Sequence, residues 1–507
     1  MTYTVRIEDR EFASPISDNY QTEPIYFSWS AFGGPKILHL RLTGSLRSLL
    51  TSSRLLRSPV SVYVENTTPV WWGYVREITI YFGNLKLLVT LDQLFNKVKV
   101  QYSFISPDNH LADQFETAWV ENQASQTLFG IKELILHRSK IDDDFADNLA
   151  ATFLENAAFP NSAYSQFHRT NPSAYAVVKC SGWFETLAWK YYENLRNFYA
   201  NYGAGPGTFE FDQATTARYP TQRFTANANG DLHYAYFQIR KIGSPTSNLY
   251  ASLRDASGTE ISVSSAVFGS TLSADNYTWV KFTFPTSYSL VLGATYHIGV
   301  KSSITNASNY YGIKTDENQG YIGGYARYYN GSSWVNIPSL TAPGRTCDLI
   351  FRAICLTDTS NQLHAITTAG DQFFSKIVTP TTGIKTSPYR ANGYSCLREI
   401  QDLMNLGTGS RLILASVNHL RQLEFYEQPD PNTPTVYLDD QCIFYTSLSQ
   451  PLKPYNPPIG QFATYKGSAD LMQPFDKPKA PPAFVGQVEY WPVTGGVKIH
   501  ATPQDFR

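Results

Sequence analysis

The sequence predicts a mainly β protein with α+β segments, and three observations support this fold class. Tyr and Phe number 34 and 30 among 507 residues, and aromatic residues favour strands. Gly and Pro number 32 and 29, so turn-forming residues are abundant. Short apolar stretches recur between turns rich in Ser, Thr, Asn and Gly. At this length we expect roughly three to five domains.

The chain is weakly charged, which narrows the classes of function. Charged residues make up 16% of the chain, and the formal net charge is −1. A general nucleic-acid-binding protein needs a basic surface, so this balance argues against that class. Low charge together with many aromatic residues favours large protein contact surfaces instead.

The N-terminal residues and the cysteines indicate where the protein folds. The first twelve residues lack the apolar segment of a signal peptide, and no apolar run is long enough to span a bilayer. We therefore expect folding in the cytoplasm, with export only through assembly or lysis. The five cysteines form no CxxC motif, and for Cys347 and Cys355 we expect buried thiols rather than a disulfide.

The first predicted domain, residues 1–105, is a β-barrel. Its strand-like segments are rich in β-branched and aromatic residues and are separated by turns. These segments are residues 37–42, 60–64, 70–80, 85–91 and 98–104.

Residues 106–214 form a predicted α+β segment. Asp142, Asp143 and Asp144 are suited to cap a helix whose start they precede. A cation could also bind to these carboxylates, but we favour the cap. The apolar face of this helix is predicted to comprise Phe145, Leu149, Phe153 and Ala157. A strand at 176–180 and a short helix within 183–192 follow.

Residues 215–357 are predicted to form a β-sandwich that is inserted into the surrounding framework. Short strands separated by polar turns recur regularly, as is typical of sandwiches. Examples are residues 235–239, 249–253, 279–284, 295–300 and 349–354.

The mixed pattern resumes after the insertion. Residues 358–430 are a second α+β segment, with a helix that ends near Leu406 and has Gly407 as its C′ residue. Strands are predicted at 412–417 and 423–426. Residues 431–507 combine further strands with a proline-rich tail, which we expect to run extended over neighbouring surfaces.

Three passages outside the insertion resemble the phage tail hub family, which includes baseplate hubs, late-control D proteins and siphophage tail-tip hubs. The first passage runs from VSVYV at 60–64 through VWWGYVREI at 70–78 to DQLFNKVKVQY at 92–102. The second is CSGWFETLAWKYY at 180–192. The third comprises ITTAGDQFF at 366–374, TGI at 382–384, LMNLG at 403–407 and RQLEFY at 421–426.

This resemblance implies two tube-type β-barrels in each subunit and a ring of three subunits that continues the tail tube. The first barrel would lie in 1–105, and the second would combine residues 176–192 with strands after residue 430. Implied partners are two further copies of the chain, distal tail and tape-measure proteins, and tail fibre or tip proteins. DNA would pass only transiently. The implied location is the virion tail tip, assembled in the host cytoplasm.

The insertion resembles jelly-roll-like sandwiches of the carbohydrate-binding type. The likeness rests on QRF at 222–224, IRKIGSPTSNL at 239–249, WVKFTF at 279–284 and LGATYHI at 292–298. It implies a fold more directly than a ligand.

The sequence contains no local catalytic motif, so we predict a non-enzymatic protein without a cofactor or a metal. HExxH, GxSxG and Walker patterns are absent, and Gly203, Gly205 and Gly207 are more typical of a linker than of a phosphate site. Two carboxylates distant in sequence can still meet as a hydrolase pair. Loop residues are candidate calcium ligands, although solvated turn residues are the better expectation: Asn306, Asn309, Asp316, Glu317 and Asn318.

Aromatic residues in the insertion are the candidate glycan-binding residues, since planar rings with polar tips stack on sugars. They are Tyr310, Tyr311, Tyr321, Tyr325, Tyr328, Tyr329 and Trp334. The alternative is that many of these rings fill the sandwich core. Trp71 and Trp72 are candidate interface residues, and on one strand they point to opposite faces, so one of them belongs to the core.

The predicted function is therefore a structural tail-tip or baseplate hub protein, with an outward sandwich that binds a host glycan or another tail protein. One alternative is a lectin-like surface adhesin that binds glycans without any role in a tail tube. Another is a cell-wall hydrolase, which would clear peptidoglycan.

Overall fold

The computed structural model divides the chain into two compact units. The first comprises 1–192, 363–382 and 391–507, and the second comprises 193–362 and 383–390. The second unit therefore interrupts the first, and it is wider than the 215–357 block. The structure describes residues 2–8, 20–104, 113–166, 173–192, 198–201, 207–211, 219–226, 230–302, 308–317, 321, 324–330, 333–340, 344–386, 394–432, 436–439, 441, 443–446, 450–465 and 483–503.

Strands and helices are numbered along the chain. The strands up to the first interruption are β1 Tyr3–Ile7, β2 Gln21–Ser30, β3 Phe32–Thr43, β4 Pro59–Val64, β5 Thr68–Phe82, β6 Leu85–Thr90, β7 Lys97–Phe104, β8 Asp113–Glu116, β9 Val120–Glu121, β10 Glu133–Ser139, β11 Ser162–Gln166 and β12 Tyr175–Ser181. The next are β13 Phe198–Asn201, β14 Gly207–Phe211, β15 Tyr219–Thr225, β16 Gly230–Ile242, β17 Asn248–Arg254, β18 Glu260–Val263, β19 Val267–Phe268, β20 Thr278–Leu290, β21 Thr295–Ser302, β22 Tyr310–Asp316, β23 Ala326–Tyr329, β24 Trp334–Asn336, β25 Asp348–Leu349 and β26 Phe351–Asp358.

The remaining strands are β27 Lys376–Val378, β28 Lys385–Thr386, β29 Ile413–Val417, β30 Gln422–Glu427, β31 Val436–Leu438, β32 Phe444–Thr446, β33 Phe462–Tyr465, β34 Ala483–Trp491 and β35 Gly496–Pro503. The α-helices are α1 Leu46–Leu50, α2 Gln123–Phe129, α3 Asp143–Ala157, α4 Thr359–Gly370 and α5 Cys396–Leu406. Short 3-10 helices occupy Thr51–Leu55, Trp183–Trp189 and Gly269–Thr271. The predicted mainly β fold is confirmed.

One large sheet organises the first unit. Its strand order is β1-β4-β5-β12-β3-β2-β34-β33-β31-β32, with side branches that include β6, β11, β29 and β35. β2 pairs with β34 in antiparallel register from Phe27↔Tyr490 to Ser30↔Gln487. Strands from both ends of the chain thus share one sheet.

Two strands do not lie where the predicted barrels place them. β12 lies between β3 and β5, whereas the predicted second barrel combines residues 176–192 with the strands after 430. β7, the predicted last strand of the first barrel, instead pairs with β8, β9 and β10 in a separate sheet. The physical reason is strand pairing: hydrogen bonding between distant strands decides sheet membership, and it leaves no local sequence pattern.

Helix α3 begins where the acidic residues predicted it. Asp142 is the N-cap, and its side chain accepts a hydrogen bond of 2.8 Å from the backbone N–H of Phe145. The predicted apolar face is correct in part: Ala157 is buried and Leu149 and Phe153 pack against the core, but Phe145 is 56% exposed. Ala146 and Ala150 face the core instead, because small side chains let the helix approach Val100 on β7 closely.

Helix α5 and the thiols follow the sequence predictions. α5 ends at Leu406, and its C-cap residue Gly407 adopts a positive φ of 61° and donates its backbone N–H to the carbonyl of Leu403. Cys347 and Cys355 are buried free thiols, as expected. The predicted extended tail instead contains a hairpin of β34 and β35 at residues 483–503. None of the helices in the described part of the chain is long and apolar enough to cross a membrane.

The second unit is a β-sandwich, as predicted. One sheet has the order β13-β26-β16-β22-β14, with β20, β25 and β28 attached. The other sheet has the order β18-β17-β21-β15-β23-β24, with β19 attached. Both sheets contribute buried side chains to one hydrophobic core, which includes Phe224, Phe237, Phe282, Ile298 and Tyr311.

Candidate functional site

The outer face of the second sheet of the sandwich is the candidate site. Successive residues of a strand point to opposite faces, so Phe224 on β15 enters the core while Tyr219 and Arg223 face away from it. The same alternation on β23 puts Ala326 in the core and Arg327 on the outer face. We name this surface the arginine–aromatic face and define it by Tyr219, Arg223, Arg254, Arg327, Tyr329 and Trp334.

The candidate glycan-binding residues do not form a single group. Tyr311 is fully buried, and its hydroxyl donates a hydrogen bond of 2.8 Å to the carbonyl of Ser247. Tyr321 and Tyr328 pack against the hydrophobic core. Tyr310 lies on the other sheet, where β22 pairs with β16.

Three of the seven candidates lie together. Tyr329 and Trp334 belong to the arginine–aromatic face, and Tyr325 lies beside it, one residue before β23. The ring centroids of Tyr329 and Trp334 are 5.6 Å apart. The three side chains are half-buried, so part of each ring is accessible. The structure therefore separates a surface group from the core tyrosines.

Trp334 lies along the sheet rather than projecting from it. Its indole stacks on the imidazole of His297, with centroids 5.7 Å apart and planes inclined by 22°. His297 is buried and Trp334 is half-buried, so only part of the indole is accessible. Gly258 permits this position, because a Cβ built there would lie 2.2 Å from the indole Nε1.

Two tyrosines continue the aromatic surface. Tyr219 and Tyr329 are direct partners in the antiparallel register of β15 and β23. Their rings are nearly parallel, with an interplanar angle of 4° and centroids 6.4 Å apart. Arg254 lies near both aromatic groups, with its guanidinium carbon 5.8 Å from the Tyr219 centroid and 5.7 Å from that of Trp334.

The three arginines differ in how they are paired. Arg254 forms an ion pair of 3.2 Å with Glu260, and Lys301 contacts the same carboxylate at 2.7 Å. Within the described residues, Arg223 and Arg327 have no carboxylate partner. Their guanidinium carbons lie 5.4 and 6.0 Å from the centroid of the same ring, that of Tyr325.

The charges of the arginines affect the buried histidine. His297 is 2% exposed, and its Nδ1 has no hydrogen-bond partner among the described residues. Burial, followed by the positive charges of Arg327 and Arg223, lowers the pKa of His297 to about 4. The imidazole is therefore neutral at neutral pH, and the positive charge of this surface comes from guanidinium and ammonium groups.

Sequence reasoning missed five members of this region: Tyr219, Arg223, Arg254, His297 and Arg327. One signal was present. In the segment Tyr325-Ala326-Arg327-Tyr328-Tyr329, strand alternation puts the first, third and fifth residues on one face. The position of His297 beneath Trp334 leaves no such signal, because the two residues lie on strands that are not neighbours.

The other sheet also carries aromatic residues beside cations, but those ring faces are occupied. The guanidinium carbon of Arg352 lies 4.1 Å from the centroid of Trp279, and the Nζ of Lys281 lies 4.0 Å from that of Tyr234. A cation at this distance covers the ring face on which a sugar would stack. The arginine–aromatic face is therefore the better candidate.

The candidate interface residues separate as expected for adjacent positions on a strand. Trp71 is fully buried. Trp72 lines a cleft of about 450 Å³ in the first unit, together with Trp29 and Tyr455. Its Nε1 donates a hydrogen bond of 2.7 Å to the carbonyl of Val417. Trp72 thus stays the interface candidate, and Trp71 is a core residue.

The expectation of solvated turn residues was wrong for Asp316 and Glu317. They are 2% and 3% exposed, because β22 carries Asp316 into the sheet opposite Asp348. The Nδ2 of Asn201 donates to Asp316 at 3.2 Å, and the Oγ1 of Thr315 donates to Glu317 at 3.0 Å. Asn306 and Asn318 lie outside the described residues. In the described ranges, no three His, Cys, Asp or Glu side chains are grouped to hold a metal ion.

Comparisons with known proteins give weak similarities only. No family model matches the chain, and no curated protein matches it. A carbohydrate-binding module of the β-sandwich superfamily is 9% identical with a TM-score of 0.16, over 63% of this chain and 99% of that one. A family 43 arabinoxylan arabinofuranohydrolase from Bacillus subtilis is 10% identical with a TM-score of 0.14, over 55% and 63%. The VP2 subviral particle of infectious bursal disease virus is 7% identical with a TM-score of 0.17, over 69% and 76%. Scores this low carry no argument about function.

Proposed function

We propose that the chain is a non-enzymatic structural subunit of a bacteriophage tail tip and that its β-sandwich binds a glycan through the arginine–aromatic face. The observation that carries the binding role is the row of half-buried rings beside guanidinium groups. Rings stack on the apolar faces of sugars, and guanidinium groups donate hydrogen bonds to sugar oxygens. Tyr329 and Trp334 supply the rings, and Arg327 is adjacent, since its Nη2 lies 3.4 Å from the carbonyl of Trp334.

The tail-tip role is supported by the discontinuous sheet of the first unit. Strands from 3–82, 175–181 and 483–491 belong to one sheet although the second unit interrupts the chain between them. A large sheet of this kind is compatible with assembly into a ring, because contacts between identical subunits can cover exposed strand edges. The proposed partners are two further copies, distal tail and tape-measure proteins, and fibre or tip proteins.

Two displaced pKa values in the first unit are explained by the local packing of their groups. Burial, followed by the charge of Asp402, raises the pKa of Glu399 to about 7, and burial lowers that of Lys132 to about 8. Glu399 lies on the buried side of α5, whereas Lys132 donates hydrogen bonds to the carbonyls of Leu91 and Asp92. These groups are explained by their local packing and need no shared reaction.

Glycan-array binding of the full-length protein tests the binding role. We expect Trp334→Ala to weaken the affinity for bound glycans at least about tenfold, since removal of a central aromatic contact costs about 1.4 kcal/mol or more. Tyr310→Ala is the matched control, because it removes a half-buried ring from the other sheet. Equal binding by the two variants, with circular dichroism unchanged, would refute the assigned surface.

Electron microscopy of the full-length protein and of virions tests the tail-tip role. We expect a three-fold ring with an open lumen. Glycan binding by a protein that forms no ring, alone or in virions, would favour the lectin-like adhesin. Clearing of peptidoglycan in a zymogram would instead favour a hydrolase.

A further inference from the structure

We infer that the arginine–aromatic face recognises an acidic glycan, with Arg223 and Arg327 binding a sugar carboxylate. This inference rests on the proposed glycan-binding function and names the chemical class of the ligand. The planar guanidinium group offers paired N–H donors that match the two oxygens of a carboxylate.

The first argument is the uncompensated positive charge. Arg223 is on β15 and Arg327 is on the neighbouring strand β23, and both lie on the outer face. The backbone N–H of Arg223 donates to the carbonyl of Tyr325 at 2.9 Å, and both guanidinium groups lie near the ring of Tyr325. Two positive charges near one ring repel each other, and an anionic ligand between them would offset that repulsion.

The second argument is that the nearby carboxylates are already paired. Glu260 accepts hydrogen bonds from Arg254, Lys301 and Ser252. Asp255 accepts the backbone N–H groups of Ser257 and Thr259 in the turn after β17. In the described residues, neither carboxylate forms an ion pair with Arg223 or Arg327. The described carboxylates thus leave these two arginines available to an anionic ligand.

The third argument is that the guanidinium group of Arg327 lies close to the aromatic rings of this face. Arg327 contacts the carbonyl of Trp334, and Trp334 contacts Tyr329, so cation and rings fall within the length of one or two sugar units. A hexose stacked on the indole would present its ring substituents to the guanidinium group. Neutral sugars do not require such charge, whereas uronic acids carry a carboxylate on the pyranose ring.

His297 remains neutral near neutral pH, so changes in its protonation do not affect binding of an anionic glycan. His297 faces the charges of Arg327, Arg223, Arg254 and Asp255, and it stays neutral above about pH 5 because its pKa is lowered to about 4. We therefore expect constant affinity for uronates from about pH 5 to about pH 8. A protonated histidine as the anion-binding group would instead give an affinity that decreases as pH rises.

Calorimetric titration of the full-length protein tests the inference. The probes are oligogalacturonate and hyaluronan oligosaccharides, each with its carboxyl-reduced counterpart, in which an alcohol replaces the carboxylate. We expect the acidic forms to bind at least about tenfold more tightly, as one charge-assisted hydrogen bond supplies this factor. Arg223→Gln with Arg327→Gln should remove that preference, and higher salt should reduce it.

Arg352→Gln is the matched control, since it removes a guanidinium group from the outer face of the other sheet. Equal affinity for acidic and reduced forms would overturn the acidic class while glycan binding stands. Binding of a sulfated or phosphate-bearing polymer without uronate binding would overturn the carboxylate assignment. If the full-length protein binds none of these probes and no arrayed glycan, the proposed binding function itself fails.

Discussion

Tyr3 and Tyr490 are 487 positions apart in the chain, yet their hydroxyl oxygens lie 2.8 Å apart. Both rings pack near Phe27, with centroid distances of 6.2 and 5.2 Å. Phe27 is on β2, the strand that joins the N-terminal strands to β34. The cluster therefore connects the two ends of the chain within one sheet.

Phe27→Ala tests how much this connection stabilises the first unit. Phe27 is fully buried, and its ring centroid is 4.9 Å from that of Trp29. Loss of a buried phenylalanine leaves a cavity, so we expect a decrease of about 3 to 5 kcal/mol in the free energy of unfolding. Chemical denaturation of the full-length protein measures it. Phe145→Ala, at an exposed ring on α3, should cost less than about 0.5 kcal/mol. Equal effects would contradict the role of the cluster.

The sequence predicted local features of the fold well, and the reason is physical. The short strand predicted at 235–239 lies within β16, because alternation of apolar residues is a property of adjacent positions. The cap of α3 by Asp142 is equally local. The placement of β12 between β3 and β5 is different, since it depends on pairing with distant strands.

In the candidate site too, local features are predictable from the sequence, whereas features that depend on distant strands are not. Alternation within a strand distinguishes buried Tyr311 from Tyr310, which faces away from the core. It does not reveal that Trp334 lies over His297, since β15 and β23 separate their strands in the sheet. Nor does it reveal which arginines lack a carboxylate partner, because that depends on the positions of Glu260 and Lys301.

Asp348→Asn tests the pH dependence of the sandwich. Asp348 is fully buried opposite Asp316, and burial raises its pKa from 3.8 to about 6. Between these values the folded protein holds a proton that the unfolded chain has released. Its contribution to the free energy of unfolding therefore decreases as pH rises from about 4 to about 6.

Denaturation at several pH values should show this effect. In the unmodified protein, the free energy of unfolding should decrease by up to about 1.4 kcal/mol per pH unit in this window, the value for one proton. The variant should lack this decrease. Asp275→Asn is the control, because that carboxylate is exposed in the same unit. A variant slope equal to that of the unmodified protein would exclude Asp348 as the source.

Gly258→Ala tests the platform formed by Trp334. Gly258 has a φ of 90°, and a Cβ there would collide with the indole Nε1. Gly293 has a similar φ of 81° but no atom within 4 Å of its built Cβ. Both substitutions cost about 1 kcal/mol or more of backbone strain, whereas only that at Gly258 displaces the indole. We expect glycan binding to be lost in Gly258→Ala alone, as measured by titration with a bound glycan. Loss in both variants would point to general unfolding.

Glu260→Gln provides a test in the opposite direction, toward tighter binding. Among the described residues, Glu260 is the carboxylate that pairs with Arg254 and Lys301 beside the arginine–aromatic face. Its neutralisation leaves two more positive charges uncompensated, so an acidic oligosaccharide should bind more tightly, by about two- to fivefold at low salt. The gain should disappear at high salt, because mobile ions screen exposed charges.

Glu210→Gln controls for the change in net charge, since Glu210 is on β14 in the other sheet. It should leave the affinity unchanged. The Glu260 variant should also lose stability, because Arg254 and Lys301 lose their partner. If the variant binds more tightly although it is less stable, the tighter binding is electrostatic and does not result from better folding. Weaker binding of acidic oligosaccharides by Glu260→Gln would show that Glu260 positions the arginines rather than compensating their charge.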